Sequence, residues 1–175
     1  MSAQRGSTLF EVLIAVLVLG VGILGVGAMQ ARSLSSSHTA SMRSQAVALS
    51  QDMADRMRAN LTAVRAAAPN NYGTLAAAVN SCRAIYRTAQ IAFPATCTPT
   101  QLAADDLFDW NDRVAALLPL GVGRVCLDST PDDGTAGATA CDGAGNIYAV
   151  KVFWTERATR AAAVEPKRFV TTVRP

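Results

Sequence analysis

Aromatic residues make up only 6% of the chain and charged residues 17%, against 50% hydrophobic. Lysine occurs twice and histidine once, and nowhere do basic residues form a run. The 16 basic and 13 acidic side chains leave a formal charge of +3 that is spread thinly. The basic stripe that a phosphate backbone demands is therefore missing, and no nucleic-acid partner is expected. The single imidazole, His38 in Ser35-Ser36-Ser37-His38-Thr39, has no second histidine to complete a site and reads as an exposed helix residue. G-x-S-x-G, the P-loop and H-E-x-x-H are all lacking. These absences point away from an enzyme, and no cofactor or metal is expected. Asp132, Asp133 and Asp142 fall in one stretch, but without D-x-[DN]-x-[DN]-G spacing they read as turn formers ahead of a Ca²⁺ site.

Proline is absent before Pro69 and cysteine before Cys82. The first absence lets a helix run from the N-terminus through more than about 55 residues. Gly20, Gly22, Gly25 and Gly27 weaken it locally, by about 0.8 to 1 kcal/mol each relative to Ala. They are equally the small residues that membrane helices use for packing. The four cysteines, Cys82, Cys97, Cys126 and Cys141, include no C-x-x-C pair. In an exported chain that pattern argues for disulfides formed in an oxidising compartment. Four cysteines allow three connectivities. Cys82 with Cys97 and Cys126 with Cys141 are favoured, because each pair closes a local span on its own side of the segment around Trp110.

What the chain has in excess is one apolar run. Val12 to Ala31 is twenty residues without a charge, about 30 Å as a helix and enough for one hydrocarbon core. At its head stands Glu11, a carboxylate that costs about 2.5 to 3.5 kcal/mol in hydrocarbon on insertion scales unless it lies at the interface or finds a cation. A cleaved secretory signal, with Val26-Gly27-Ala28 as the cleavage site, fits less well: the basic n-region is one Arg, the run is too long, and Glu11 intrudes. A plain membrane anchor leaves Glu11 unexplained.

Arg5-Gly6 followed by Ser7-Thr8-Leu9-Phe10-Glu11-Val12-Leu13 resembles the type IV prepilin signature. The resemblance implies that a membrane prepilin peptidase cuts between Gly6 and Ser7 on the cytoplasmic side and methylates the new Ser7 amine. Glu11 becomes the fifth residue of the mature chain. Ser7 stands where Phe or Met is usual. A fresh ammonium on one subunit and Glu11 on its neighbour can neutralise each other in lipid only when subunits stack in register, so the acid acts as a registry device.

Downstream, Met42, Ala46, Leu49, Met53, Met57, Leu61 and Val64 recur at steps of three or four, the pattern of an amphipathic half-helix. Asp52 and Arg56 are expected to pair on its solvated side. Pro69-Asn70-Asn71-Tyr72-Gly73 reads as a break and Leu75 to Gln90 as a short helix or helical loop. A further helix is expected over Ala103 to Leu118, with Leu107, Trp110, Val114, Leu117 and Leu118 on one face and Asp105 and Asp106 near its start. Strands are expected at 123–127, 147–155 and 168–173, with a loop from Ser129 to Asn146.

The expected architecture is α+β and pilin-like: a leader at 1–6, a transmembrane and assembly helix at 7–31, an amphipathic half at 32–68 and a globular head at 69–175, the long helix packing on a small antiparallel sheet. Ser44 to Asn60, and especially Asp52 to Asn60, together with Asp109-Trp110, Leu118-Pro119 and Tyr148 to Glu156, is similar to the PilV-type minor pilins, the type IV pilus modification proteins. That resemblance implies partnership with other minor pilins and the major pilin in a complex that primes pilus assembly, with the tip as its candidate place. It also implies an inner-membrane subunit with a periplasmic head that becomes part of an extracellular pilus. A minor pseudopilin of a type II secretion system shares leader, helix and topology; a soluble exported binding protein released after Ala28 is the alternative of another class.

Overall fold

The computed structural model describes residues 9–69, 71–78, 97–157 and 164–174. Gly6, Ser7, Cys82 and most of the expected 75–90 helix lie outside the described residues. Two compact units are present, 1–40 and 41–175.

Helix α1 spans Leu9–Ala59. Within the first unit its side chains are exposed almost throughout, and it runs unbroken past Gly20, Gly22, Gly25 and Gly27, at each of which a Cβ would meet nothing. Beyond Ala40 the helix becomes one-sided: Met42, Ala46, Leu49, Met53, Ala54 and Met57 are buried at helical spacing. The continuous helix was expected to reach residue 68, but α1 ends at Ala59. Asn60 leaves helical geometry (φ −117°, ψ 58°) and accepts a hydrogen bond from the Ala63 N–H, capping the short helix α2, Leu61–Val64. An Asn side chain competes for backbone donors in this way and favours caps over helix interiors.

Helix α3 is Pro99–Leu117, four residues earlier at its start than the apolar pattern indicates. Thr98 and Gln101 form a reciprocal capping box, and Pro99 takes the first helical position, where its missing N–H costs nothing. Asp105 and Asp106 consequently fall beyond the first turn, and both are buried. Leu107, Trp110, Val114 and Leu118 enter the core as expected; Leu117 does not.

Strands β1 (Val122–Leu127), β2 (Tyr148–Arg157) and β3 (Val164–Val173) form an antiparallel sheet in that order. β3 begins earlier than expected because Pro166 is tolerated. Its partner Thr155 sends its N–H to the Pro119 carbonyl, on the β1 side. The Thr155–Pro166 pair is therefore non-hydrogen-bonded and the proline nitrogen points off the outer edge of β3. Tyr148, Val150, Val152 and Trp154 face the helices, and three polar pins tie α1 and α2 to the sheet. The Arg43 guanidinium meets Glu156, Ser50 Oγ lies 3.2 Å from Thr171 Oγ1, and Tyr148 OH donates to the Val64 carbonyl. Trp110 Nε1 donates to the Leu49 carbonyl at 2.8 Å, and Gly123 leaves room for the Trp110 ring, since a Cβ there would lie 2.4 Å from it.

Ala149, Lys151 and Phe153 point to the other face. The 128–147 loop covers it, and the Cys126–Cys141 disulfide closes the loop as expected. Cys82 and the Cys82–Cys97 pairing lie outside the described residues.

Candidate assembly site

Glu11 sits in the first turn of α1 and is exposed. Around and beyond it Leu9, Phe10, Leu13, Val16, Leu17 and Leu24 are each more than half exposed, members of an apolar surface that continues to Leu34. The helix is long and apolar enough to cross a membrane, and none of its most apolar window is buried within the chain. One carboxylate on so much bare hydrocarbon has no stabilising partner among the described residues, so its chemistry is that of an acid awaiting a cation from elsewhere. The positions expected to be cleaved and methylated, Gly6 and Ser7, lie outside the described residues.

The Asp52–Asn60 stretch of α1 does something other than face solvent. Arg56 is mostly buried and binds three carboxylates: Asp52 at 3.1 Å, Asp106 at 3.0 Å and Asp109 at 3.1 Å, the last two on α3. The expected solvated Asp52–Arg56 pair is thus part of a clamp between helices. Arg113 adds contacts of 2.5 Å to Asp52 and 3.4 Å to Asp109. Tyr72 OH donates to Asp106 Oδ2 at 2.9 Å, while Asn60 Nδ2 donates to the Pro99 carbonyl. Burial and then the Asp106 carboxylate push the Tyr72 phenol up. Burial opposes charge on Arg56, but Asp52 and Asp106 outweigh it and hold the guanidinium pKa above its ordinary value. Asp52, Arg56 and Asn60, four apart on one stripe, lock α1, α2, α3 and Tyr72 together while Met53 and Met57 fill the core.

A second buried charge escaped sequence reasoning. Lys151 in mid-β2 is fully buried, with Asp128 Oδ2 at 2.5 Å and Asp133 Oδ1 at 2.8 Å. It also donates to the Thr139 and Asp133 carbonyls at 2.9 and 3.2 Å. The signal was there: a lone Lys between Val150 and Val152, with several acids in the preceding loop. Asp132, Asp133 and Asp142 do not converge on an ion. They go separately to Arg168, to Lys151 and to Ser129. Cys126, Asp128 and Cys141 come within 4.8 Å of one another, but both sulfurs are spent in the disulfide. Among the described residues no metal centre or catalytic constellation is assembled.

Residues 1–27 match the prokaryotic N-terminal methylation motif, and residues 28–108 match the family described as type IV pilin Tt1218. No curated protein and no solved structure matches the chain. The two matched regions abut, covering α1 and α2, Arg56 with its partners Asp52 and Asp106, and the first half of α3 as far as Phe108. The methylation motif implies processing by a prepilin peptidase, and the pilin family is one of structural proteins that assemble with other pilins. With the long half-apolar helix, the α+β head and the acid at the helix start, the chain belongs to the type IV pilins.

Proposed function

We propose that this chain is a minor pilin of the type IV pilus, of the PilV type, held in the inner membrane with its head in the periplasm before assembly and helping to initiate the pilus. Glu11 carries the reading of assembly: it is the single charge between Leu9 and Ala31 on an exposed apolar stretch of helix, which supports its pairing with the methylated Ser7 amine of a neighbouring subunit. The minor role rests on the Asp52–Asn60 resemblance, for which the Arg56 clamp supplies a physical reason: the stretch is constrained by three carboxylates and the core at once.

Replacing Glu11 with Ala removes the partner for the neighbour's amine while leaving the cleavage position alone. Cells carrying E11A should process the chain normally yet incorporate it into sheared pili at a small fraction of the wild-type level, and deletion of the gene should reduce the number of pili. Unchanged incorporation of E11A would overturn the registry role. If deletion spared the pili but blocked protein secretion, the chain would be a pseudopilin.

A further inference from the structure

We propose that Lys151 and Asp128 join in an isopeptide bond, which the folded head forms on itself with loss of one water. The inference does not depend on the pilin reading.

An amine and a carboxyl group condense unaided when they are held in contact, shut off from water and served by a third group that moves the proton. Lys151 Nζ and Asp128 Oδ2 lie 2.5 Å apart, and both side chains are 0% exposed. Apart from that ammonium, no described group donates to Oδ2. The backbones on both sides are fixed: Lys151 pairs with Arg124 in mid-sheet, and Asp128, one residue past β1, donates its N–H to the Ile147 carbonyl.

Thr130 organises the rest. Its N–H donates to Asp128 Oδ1 at 3.0 Å, which polarises the carboxyl group and stabilises charge that develops on that oxygen. Its hydroxyl donates to Asp133 Oδ2 at 2.9 Å, and Asp133 Oδ1 accepts from Lys151 Nζ at 2.8 Å. One residue thus holds both the carboxyl group to be attacked and the carboxylate that relays the proton.

Transfer of one proton from Nζ to Asp128 Oδ2 turns the ion pair into an amine and a carboxylic acid. Nζ then attacks Asp128 Cγ. Asp133 takes a proton from the attacking nitrogen and passes it to Oδ2, which leaves as water while the double bond re-forms to Oδ1. One ammonium and one carboxylate become one secondary amide and one water, with no other reagent. Burial opposes the charge on Lys151, but Asp128 and Asp133 outweigh it, so the amine is the minority form and linking trails folding. The new ring, closed between residues 128 and 151, overlaps the one closed by the Cys126–Cys141 disulfide and holds the loop on the sheet even after reduction.

The test uses the full chain, exported so that the disulfide forms, held in detergent and sampled over time. After reduction, trypsin and Asp-N should release a branched peptide joining residues 125–131 to 142–157, uncut at Lys151 and one water lighter than its two parts, in a proportion that rises with storage. Asp133-Gly134 and Asp142-Gly143 also lose a water when they cyclise to succinimides, so the branch rather than the intact mass decides. Lys151→Arg keeps the charge but cannot form the amide, and the branch should vanish. Asp133 is 41% exposed, so Asp133→Ala should keep the wild-type circular dichroism while linking about a hundredfold more slowly. No branch in the wild-type chain after weeks of storage overturns the proposal, as does a branch from Lys151 to residues 133–141, which would make Asp133 the acceptor. Linking of Asp133→Ala at the wild-type rate overturns the proton relay.

Discussion

Lys151 shows how much one side chain can organise. A buried ammonium is unfavourable alone, yet here it faces Asp128, Asp133 and two backbone carbonyls, and it draws an otherwise featureless loop down onto the sheet. Lys151→Met would leave Asp128 buried without its cation. A loss of about 3 to 5 kcal/mol is expected by denaturant titration, with the 128–147 loop loosened first; a loss below about 1 kcal/mol would show that the pair contributes no more than an exposed one. The pH dependence follows from the same groups. Burial opposes the charge on Lys151, but the bonds to Asp128 and Asp133 outweigh it and raise its pKa. Its contribution is complete below the ordinary lysine value near 10.4 and fades as pH rises through the raised one. Asp133 runs the other way: hydrogen bonds from Lys151 and Thr130 depress its pKa, so its contribution is complete above the ordinary aspartate value near 3.9 and fades as pH falls through the lower one. Methyl NMR of Thr139, whose carbonyl binds Lys151, should be flat between these limits and change outside them; a transition near neutrality would overturn the assignment.

At the scale of elements, the Arg56 clamp is what turns three helices into one support. Arg56→Ala strips a cation from Asp52, Asp106 and Asp109 together, and Asp106 lies buried. About 2 to 4 kcal/mol should be lost, and Arg56→Lys should recover only part of it, because an ammonium cannot fork toward three carboxylates. Full rescue by Lys, measured by thermal melts of both variants, would show that charge alone matters. The clamp also marks the boundary of what sequence discloses. Periodicity exposes the Met stripe, the Trp110 face and the strands, since each depends on one element's own pattern. Asp52, four residues from Arg56, was legible, but the α3 partners of Arg56 sit fifty and fifty-three residues away and those of Lys151 eighteen and twenty-three, and helical or strand periodicity does not encode such pairings. The ends of the elements are set by local signals that compete with the apolar pattern: Asn60 as a cap, Thr98 and Gln101 as a capping box, and Pro166 as an edge-strand residue. Glu11 was legible because it offends its surroundings, and the structure leaves it as exposed as the sequence requires.

On the scale of the whole molecule, the two units solve different problems. The head buries Lys151 against Asp128 and Asp133 and Asp106 against Arg56, and its sheet is covered on one face by helices and on the other by a disulfide-closed loop. The apolar half of α1 satisfies nothing within the chain: its Val, Leu and Ile side chains stay bare, and its one acid waits for a cation. Such a helix is stable only in lipid or against other copies of the same kind of helix, and moving from one to the other requires that Glu11 be neutralised on the way. In the proposed processing a new α-amine at Ser7 would supply that charge, whereas a cut after Ala28 would discard Glu11 with most of the apolar surface and leave the head unanchored. Mass spectrometry of the protein from cells with a prepilin peptidase should therefore find a chain of residues 7–175 carrying one methyl group on the Ser7 nitrogen. Gly6→Val, which crowds the scissile bond, should leave the unprocessed chain in the membrane fraction. A mature chain beginning at Met29 would replace the assembly helix with a secretory signal, and with it the account of Glu11.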